Sequence, residues 1–526
     1  MKYQYNLLKL IFTTLSIYFT NIFSTNAQII PDGSLPQNSN VRTENNIIFI
    51  EGGTRAAANL YHSFQKFSLP SGNAAFFNNT TDIKNVISRV TGGSASNIDG
   101  LIKTNGTTNL FLINPSGIIF SENAKLDIGG SFIASTASSI DFGNGLQFSA
   151  NKLSQPEPLL SINVPIGLKF AGISGVIKVQ GAGHSINSSE VYSPLTAQNF
   201  SNGLQVKPGN TLALIGGNIL LEGGIISTQN GKIELQSLAQ GEVTIDQKDR
   251  DWILNNKGNQ SFADITLLNN ALVFAESNNG TANSINVQGK NVNVLSGSLI
   301  ISQNLSQNVN YDFSRGIIFN NSGILRVQGE SKFITSGIFT SNFGRIPGDN
   351  IEIGANQAEI EGAQIATTTF NSGSGGKIIF NTNYLKVSGS IPSIANPLGY
   401  GGINTFAYSS GNGGDISGTV KEFILENKGS FAAISSSRLL GHSGNINLTA
   451  GIINIKSGSS LGSLTFGNGN GGNVFINANN YINVTEEAIS LEPSLIQAAT
   501  FSSGNAGNLE INTPILFVQD GQGERI

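Results

Sequence analysis

A repeated unit of about thirty residues constrains this chain more than any other feature of its sequence. Each unit opens with an aliphatic residue that follows Asn, Lys or Asp and begins a short run of β-forming side chains. The opening residues are Ile351, Ile378, Ile416, Ile446, Val474 and Leu509, at intervals of 27, 38, 30, 28 and 35 residues. Repeats of this length indicate a solenoid, a propeller or an array of small units.

Within one unit, three β-like runs follow one another, and each ends at Gly, Asn or Ser. Residues 445–449, 452–456 and 460–465 are such runs, and the glycine-rich segment 467–472 closes the unit. Three runs per unit predict one coil of a three-sided parallel β-helix, with coils stacked ~4.8 Å apart. The usual hand of parallel crossovers makes this helix right-handed. A propeller fits less well, because its blades need four antiparallel strands and usually ~40–50 residues.

The alternation of apolar and polar residues predicts which side chains face the interior. Apolar residues such as Ile453, Ile455 and Val474 are expected to fill the bore of the helix, whereas Asn, Ser and Thr face solvent. Asn454 and Asn473 are expected to face outward and to tolerate replacement by Ser. Stacked Asn side chains also form ladders of amide hydrogen bonds between strands.

The composition agrees with a folded β protein and excludes several functions. Of 526 residues, 39% are hydrophobic and only 12% are charged, whereas disordered chains combine low hydrophobicity with high net charge. The length suits about three domains or one long repeat array. A net charge of −4 provides no basic field for nucleic acid. The chain has no cysteine, so disulfides and thiolate metal sites are excluded.

Residues 1–27 have the layout of a signal peptide. Lys2 and Lys9 form a positive beginning, Leu10–Phe23 is the apolar stretch, and small residues lead to a cleavage point after Ala27. A membrane anchor is the competing interpretation. The apolar stretch is interrupted by polar residues and is shorter than the ~20 residues that a membrane span needs, so we favour cleavage.

A turn is predicted at Asn114-Pro115-Ser116-Gly117, between the apolar runs Leu110–Ile113 and Ile118–Phe120. The tetrapeptide fits a type I turn at every position: Asn hydrogen-bonds forward, Pro presets φ, and Ser and Gly suit the last two places. The local prediction is therefore strand, turn, strand.

Several segments of the first 145 residues resemble, in the same order, the secretion domain of filamentous haemagglutinin-type exoproteins. These segments are Phe64–Phe67, Ile87–Gly93, Ile98–Ile102, Asn105-Gly106, Asn109–Ile119 and Ile128–Phe132. The family motif Asn-Pro-Asn-Gly-Ile corresponds to Asn114-Pro115-Ser116-Gly117-Ile118, with Ser in the third place. The family motif Asn-Pro-Asn-Leu is absent, and Phe77–Thr80 lies near its expected position.

The resemblance implies a secreted partner of a two-partner secretion system. On this basis we expect a signal peptide at 1–27, a two-partner secretion domain at 28–145 and a repetitive parallel β-helix shaft at 146–526. An outer-membrane two-partner secretion transporter would recognise the domain in the periplasm, with Asn114–Ile118 as its motif, and pass the unfolded chain outward. The product would be secreted or held at the cell surface. There its shaft would act in adhesion on a surface glycan or protein, without a cofactor and not as an enzyme.

A carbohydrate-active enzyme is the competing interpretation, since parallel β-helices also house polysaccharide lyases and hydrolases. The densest charged cluster contains Asp246, Lys248, Asp249, Arg250 and Asp251 beside Trp252. Carboxylates beside Arg are able to bind Ca²⁺ and to abstract a proton from a uronic acid. We favour a solvated loop at the end of a strand, because no matching acidic cluster lies one repeat away.

Other candidate metal sites are weaker. The segments Gly411–Asp415 and Gly467–Gly472 are similar to Ca²⁺-binding glycine-rich repeats but lack Asp at nonapeptide spacing, which favours ordinary turns. The histidines His62, His184 and His442 lie far apart without paired ligand spacing, so a zinc site or a Ser-His-Asp triad is not predicted.

The end of the sequence generates one further expectation. The last unit begins at Gly507 and stops at Ile526, without a helix or a charged strand to cover its edge. Repeat arrays usually end in a polar capping unit, and an uncovered strand edge pairs with other chains. We therefore expect either that the sequence is the front part of a longer product or that this edge self-associates.

Overall fold

The computed structural model describes residues 28–519 except 144, 152–159, 187–201, 249–250, 279–282, 308–315, 333, 438 and 487–492. The predicted signal peptide lies outside the described residues. All of the regular elements described are β-strands. No helix in the described part of the chain is long and apolar enough to span a membrane.

The strands follow one another along the chain in three consecutive sets. The first set is β1 (Gln28–Pro31), β2 (Ser39–Glu44), β3 (Ile47–Gly52), β4 (Thr54–Ala56), β5 (Asn59–Ser68), β6 (Ala74–Phe77), β7 (Asn85–Val90), β8 (Ser96–Ile98), β9 (Leu101–Thr104), β10 (Asn109–Ile113), β11 (Ile118–Phe120), β12 (Lys125–Asp127), β13 (Phe132–Ser135), β14 (Ser139–Asp141) and β15 (Gln147–Ser149). The second set is β16 (Gly167–Phe170), β17 (Ile177–Gln180), β18 (Leu204–Gln205), β19 (Thr211–Gly216), β20 (Ile219–Glu222), β21 (Ile225–Gln229), β22 (Lys232–Lys248), β23 (Asp251–Phe262), β24 (Ile265–Leu268), β25 (Leu272–Ser277), β26 (Ser284–Gly289), β27 (Val292–Leu295), β28 (Leu299–Asn304), β29 (Gly316–Asn321) and β30 (Ile324–Gln328). The third set is β31 (Gly337–Asn342), β32 (Ile351–Glu361), β33 (Gln364–Thr369), β34 (Ile378–Ser388), β35 (Gly401–Ala407), β36 (Ile416–Glu426), β37 (Gly429–Ser435), β38 (Ile446–Lys456), β39 (Ser460–Thr465), β40 (Val474–Thr485), β41 (Leu495–Thr500), β42 (Leu509–Asn512) and β43 (Leu516–Gln519).

The chain winds along three faces in succession, and each coil pairs in parallel with the next. A typical coil follows β19, β20 and β21, and β22 then returns directly beside β19. Strands β20 and β21 pair with β24 and β25 of the next coil in the same way. From β32 onward a single long strand provides the first two faces, because its two halves pair with β29 and β30 separately. The predicted all-β parallel β-helix is therefore confirmed.

The repeat positions found in the sequence form one continuous column inside the helix. Ile351 pairs with Ile378, and the pairing continues through the remaining opening residues to Leu509. The same column extends towards the N-terminus through Leu60, Val86, Leu110, Phe132, Leu212, Ile233, Ile285 and Ile317. Except for Leu60, which packs against it, and Leu509 of the last described coil, which is exposed, these side chains belong to a single core that fills the bore.

A five-stranded antiparallel sheet, here called the outer sheet, lies outside the first face. Its order is β15, β14, β16, β22 and β23, and the second half of β22 leaves its coil to form a hairpin with β23. Together with Trp252 of this hairpin, Phe111, Ile113, Ala213 and Ile215 form a second core outside the bore. Both sides of these coil strands are thus buried, which explains why the runs around them are apolar at every position.

Side-chain hydrogen bonds tie the corners of successive coils together. The backbone N–H of Asn445 donates to Asp415 Oδ1 at 3.0 Å, and the N–H of Asn473 donates to Asn445 Oδ1 at 2.9 Å. The N–H of Asn508 in turn donates to Asn473 Oδ1 at 2.9 Å. This ladder corrects one expectation: Asn473 does not merely face solvent. Replacing it by Ser removes this acceptor, which typically costs about 1 kcal/mol.

The core and the strand ladders cross residue 145, where the secretion domain was expected to end. Strands β10 and β13 precede that point, and β13 pairs with β19 beyond it. Strand β11 likewise pairs with β17. Packing alone therefore marks no division there, and the boundary stays a prediction.

Ile453 offers a direct test of the bore. Its side chain is fully buried between coils, so Ile453→Ala should lower the free energy of unfolding by ~2–5 kcal/mol. Asn454, its half-buried neighbour, provides the matched control, because Asn454→Ser should change stability by less than about 0.5 kcal/mol. Denaturant unfolding of the purified protein measures both, and equal sensitivity would contradict the assigned facing.

Asp349 lies two residues before the opening residue Ile351. The residues two positions before the opening residues of the later coils are all glycines: Gly376, Gly414, Gly444, Gly472 and Gly507. The carboxyl is buried and accepts a hydrogen bond from the Ser302 hydroxyl. Burial raises the pKa of Asp349 to about 6, and the Ser302 hydrogen bond opposes that rise. The folded state therefore favours the protonated carboxyl.

This environment predicts a stability that falls with rising pH. Because the folded pKa lies above the unfolded value of 3.8, the stabilisation is fully present below pH 3.8 and is lost as pH rises through about 6. Asp349→Asn should remove this pH dependence. The free energy of unfolding of the variant minus that of the wild type should therefore be larger at pH 7.5 than at pH 4 by on the order of 3 kcal/mol. Unfolding midpoints at the two pH values check this, and an unchanged difference between wild type and variant would contradict it.

Candidate functional site

The predicted turn at Asn114–Gly117 forms a corner of the helix between β10 and β11. The N–H of Gly117 donates to the Asn114 carbonyl at 3.0 Å, which closes the four-residue turn. The N–H of Ser116 donates to Asn114 Oδ1 at 3.0 Å. Strand, turn and strand are confirmed, but β10 and β11 belong to different faces and do not form a hairpin.

The side chain of Asn114 is the hydrogen-bonding centre of this corner. Its amide group donates to the Ser94 carbonyl at 2.9 Å and to Ser96 Oγ at 3.0 Å in the preceding coil. Its backbone N–H donates to the Ser135 carbonyl at 2.9 Å. The residue has no exposed surface, so all of these bonds lie inside the protein.

The next coil covers the other side of the turn. The N–H of Gly175 donates to the Pro115 carbonyl at 2.8 Å, and the N–H of Ile118 donates to the Val176 carbonyl at 3.0 Å. Gly117 has φ of 120°, and a Cβ there would lie 3.0 Å from the Val176 carbonyl oxygen. Within the turn, only Ser116 is exposed, and Pro115 is half-buried. The folded corner thus hides most of the predicted motif.

A buried charged network lies in a second segment of the resemblance. Arg89 is fully buried, donates to Ser63 Oγ at 2.7 Å and to Ser34 Oγ at 2.8 Å, and lies over the ring of Phe148. Burial alone would raise the pKa of Asp32, but hydrogen bonds from Ser34, Ser63 and Thr91 outweigh it and hold the pKa below its usual value. The network joins the N-terminal strand, a coil and the outer sheet. Sequence inspection missed it, although a lone Arg between Ile87 and Val90 was its visible signal.

The charged cluster at residues 246–251 falls at the end of the hairpin formed by β22 and β23. Asp246 is exposed, and Asp249 and Arg250 lie outside the described residues. Trp252 points the other way, is buried, and stacks on Phe111 with ring centroids 5.2 Å apart. Among the residues that the structure describes, no group of three or more His, Cys, Asp and Glu side chains is placed to hold a metal ion.

The histidines and the glycine-rich segments also have structural surroundings. Burial lowers the pKa of His62 to about 3, and its Nδ1 lies 3.0 Å from Ser39 Oγ. His184 Nε2 lies 2.9 Å from the Gly297 carbonyl, and His442 Nδ1 accepts the Asn470 N–H at 2.7 Å. Asp415 ends the first glycine-rich segment, and its carboxylate forms an ion pair with Lys377 at 3.1 Å.

Comparison with known proteins provides the family. The TPS secretion domain family model matches residues 27–291, half of the chain. The heme/hemopexin-binding protein of Haemophilus influenzae is 26% identical over 287 residues, a region that covers 50% of this chain and 26% of that protein.

The crystal structure of the HMW1 secretion domain from Haemophilus influenzae aligns over 93% of this chain and 98% of its own, with a TM-score of 0.36 and 14% identity. The chain spans only about a quarter of the length of the heme/hemopexin-binding protein that it matches. From the family match over half of its length, this chain belongs to the TPS secretion domain family.

Proposed function

We propose that a dedicated outer-membrane transporter passes this protein outward in an unfolded state, and that the folded helix then acts in surface adhesion rather than catalysis. The observation that carries this proposal is the unbroken coil stack. The stack begins within the family region at 27–291 and continues through β43, so one core serves both parts.

The buried corner at Asn114 supports transport in the unfolded state. Every hydrogen bond that the structure gives its side chain is internal, and the side chain has no exposed surface once the coils have stacked. A transporter is able to contact this amide only before the flanking coils close over it. We therefore assign Asn114–Ile118 as a motif that acts on the unfolded chain and becomes a structural corner afterwards.

The outer face of the later coils supports a binding role. Asn381 and Asn383 of β34 are exposed, as are Asn447 and Thr449 of β38 and Asn477 of β40. Amide and hydroxyl groups of this kind both donate and accept hydrogen bonds, so a long row of them suits contact with polar surfaces such as glycans or proteins. With few charges along it, such a surface depends on contact rather than on long-range steering.

The motif assignment predicts a specific loss of export. Asn114→Ala combined with Pro115→Ala should reduce the ratio of extracellular to periplasmic protein several-fold, because the transporter no longer finds its motif. The measurement is that ratio in cells that produce the partner transporter, with total synthesis held constant.

Asn342 provides the matched control for this experiment. It is 1% exposed, its Oδ1 accepts the Gly344 N–H at 2.9 Å, and its amide donates to the carbonyls of Ile346 and Ser374. Its hydrogen bonding therefore equals that of Asn114, but it lies outside the family region. Asn342→Ala should destabilise the fold equally and leave export unchanged. Equal export losses in both variants would show that the corner is only structural.

The adhesion role is tested on the secreted protein itself. Cells that produce the chain together with its transporter should bind a host-cell layer, and removal of the transporter should abolish that binding because no chain reaches the outside. Purified protein added back should compete with the producing cells. Undiminished binding without the transporter, or no competition, would contradict adhesion and leave the export assay unaffected.

A further inference from the structure

A small polar cleft lies where the hairpin of β22 and β23 overhangs the first face. Below the hairpin, the outward residues of β19 are the apolar Ala213 and Ile215, which belong to the second core. One coil further, their paired neighbours are Glu234 and Gln236 of β22. The outer face therefore changes from apolar to polar underneath an overhanging hairpin.

The cleft has a volume of about 150 Å³, and hairpin and coils both line it. Its coil wall contains two outward columns in register, Glu234 beside Asn286 and Gln236 beside Gln288 and Asn320. Its hairpin wall contains Trp252 and Asn255, and Lys232 lies at one end. Five of the lining residues have amide side chains and one has a carboxylate, while Trp252, Ile253, Leu254, Val287 and Ile318 contribute apolar surface.

Two buried amide oxygens at this cleft, Gln236 Oε1 and Asn286 Oδ1, have no hydrogen-bond donor among the described residues, and the buried Ser284 hydroxyl also has no partner there. The orientation of the Asn286 amide is fixed, because its nitrogen donates to Glu234 Oε1 at 2.6 Å. The Gln236 side chain is 2% exposed, and its nitrogen has only a long contact of 3.5 Å with the Leu254 carbonyl. A buried acceptor without a donor costs about 1–3 kcal/mol, so two such acceptors beside one cavity favour a guest that donates hydrogen bonds.

The charges of the lining restrict what that guest is. Lys232 disfavours a metal cation or an amine, and Glu234 disfavours an anion. The amides of Gln288, Asn320 and Asn255 offer donors as well as acceptors, which suits groups that do both. Hydroxyl groups meet this requirement, and a rotation about the last torsion of Gln236 brings its oxygen to them.

We propose that this cleft is a binding site for one ring of a neutral saccharide. The cavity is large enough for about five water molecules, comparable to a single sugar ring bearing hydroxyls. The sugar hydroxyls donate to Gln236 and Asn286 and accept from the amides of Gln288, Asn320 and Asn255, while the hairpin residues Trp252, Ile253 and Leu254 provide the apolar side. The site is independent of the adhesion role, because it is formed within the coil stack and its occupancy is measured on purified protein.

Trp252 is the only tryptophan of the chain and therefore reports directly on the cleft. Titration of the full-length secreted protein with D-glucose, D-galactose and N-acetyl-D-glucosamine should give a saturable change in its fluorescence with at least one sugar. Gln236→Met removes the unpaired acceptor at similar volume, and it should weaken that sugar's binding ~tenfold, as loss of one hydrogen bond does. Asn255→Ala, on the exposed hairpin wall, should weaken it as well and tests the site independently if Gln236→Met fails to fold.

Gln303 provides the matched control. It is also buried, with an Oε1 that lacks a donor among the described residues, but it does not line the cleft. Gln303→Met should leave sugar binding unchanged. The proposal is overturned if no sugar gives a saturable change, which means that the cleft holds only water. It is also overturned if KCl or CaCl₂ alone reproduces the change, or if the two cleft variants bind as tightly as the Gln303 variant.

Discussion

The parallel hydrogen bonds between successive coils are the interaction on which the rest of this structure depends. The three strands of one coil lie on different faces, so they do not pair with one another. Their backbone N–H and C=O groups form hydrogen bonds only with the coils on either side. Register therefore passes from coil to coil, and the bore column from Leu60 to Leu509 is its consequence. The corner ladders reinforce the register, because each side-chain oxygen accepts the backbone N–H of the following coil.

Regular stacking fixes the interior but leaves the outer face free to vary, and this freedom separates the two halves of the molecule. Around β10, β13 and β19 the outer face is apolar, and the outer sheet buries it in a second core. Beyond β26 the same face is largely polar, although it includes Ile318 and Ile379, and it meets solvent. The transition occurs within one coil step, between Ile215 and Gln236, so the hairpin that packs on the apolar side overhangs the polar side. A cleft at this boundary follows from the change of outer face alone.

The sequence was sufficient to predict the coil register in the later half, where the opening residues recur every 27–38 residues. It was insufficient where long insertions leave the helix. The stretch between Phe132 and Leu212 separates two neighbours in the bore column and contains three strands of the outer sheet, so no regular interval links them. The all-apolar run Leu110–Ile113 predicted a strand, but not that both of its sides are buried. What covers its outer side depends on β22 and β23, more than a hundred residues later, which no local pattern specifies.

The motif corner presents a similar limit, since residue types alone identified the turn but not its surroundings. The amide of Asn114 makes its contacts with Ser94 and Ser96 of the preceding coil, and the carbonyls of the turn meet the segment around Gly175. Under the proposed transport, a residue in this position has two roles at different times. Before folding, it is accessible to a partner as part of an extended chain; after folding, it is a buried corner whose unpaired amide would cost about 1–3 kcal/mol. Stacking of the neighbouring coils removes the Asn114 side chain from contact with any partner, so the recognition that we propose for Asn114–Ile118 takes place before the chain folds.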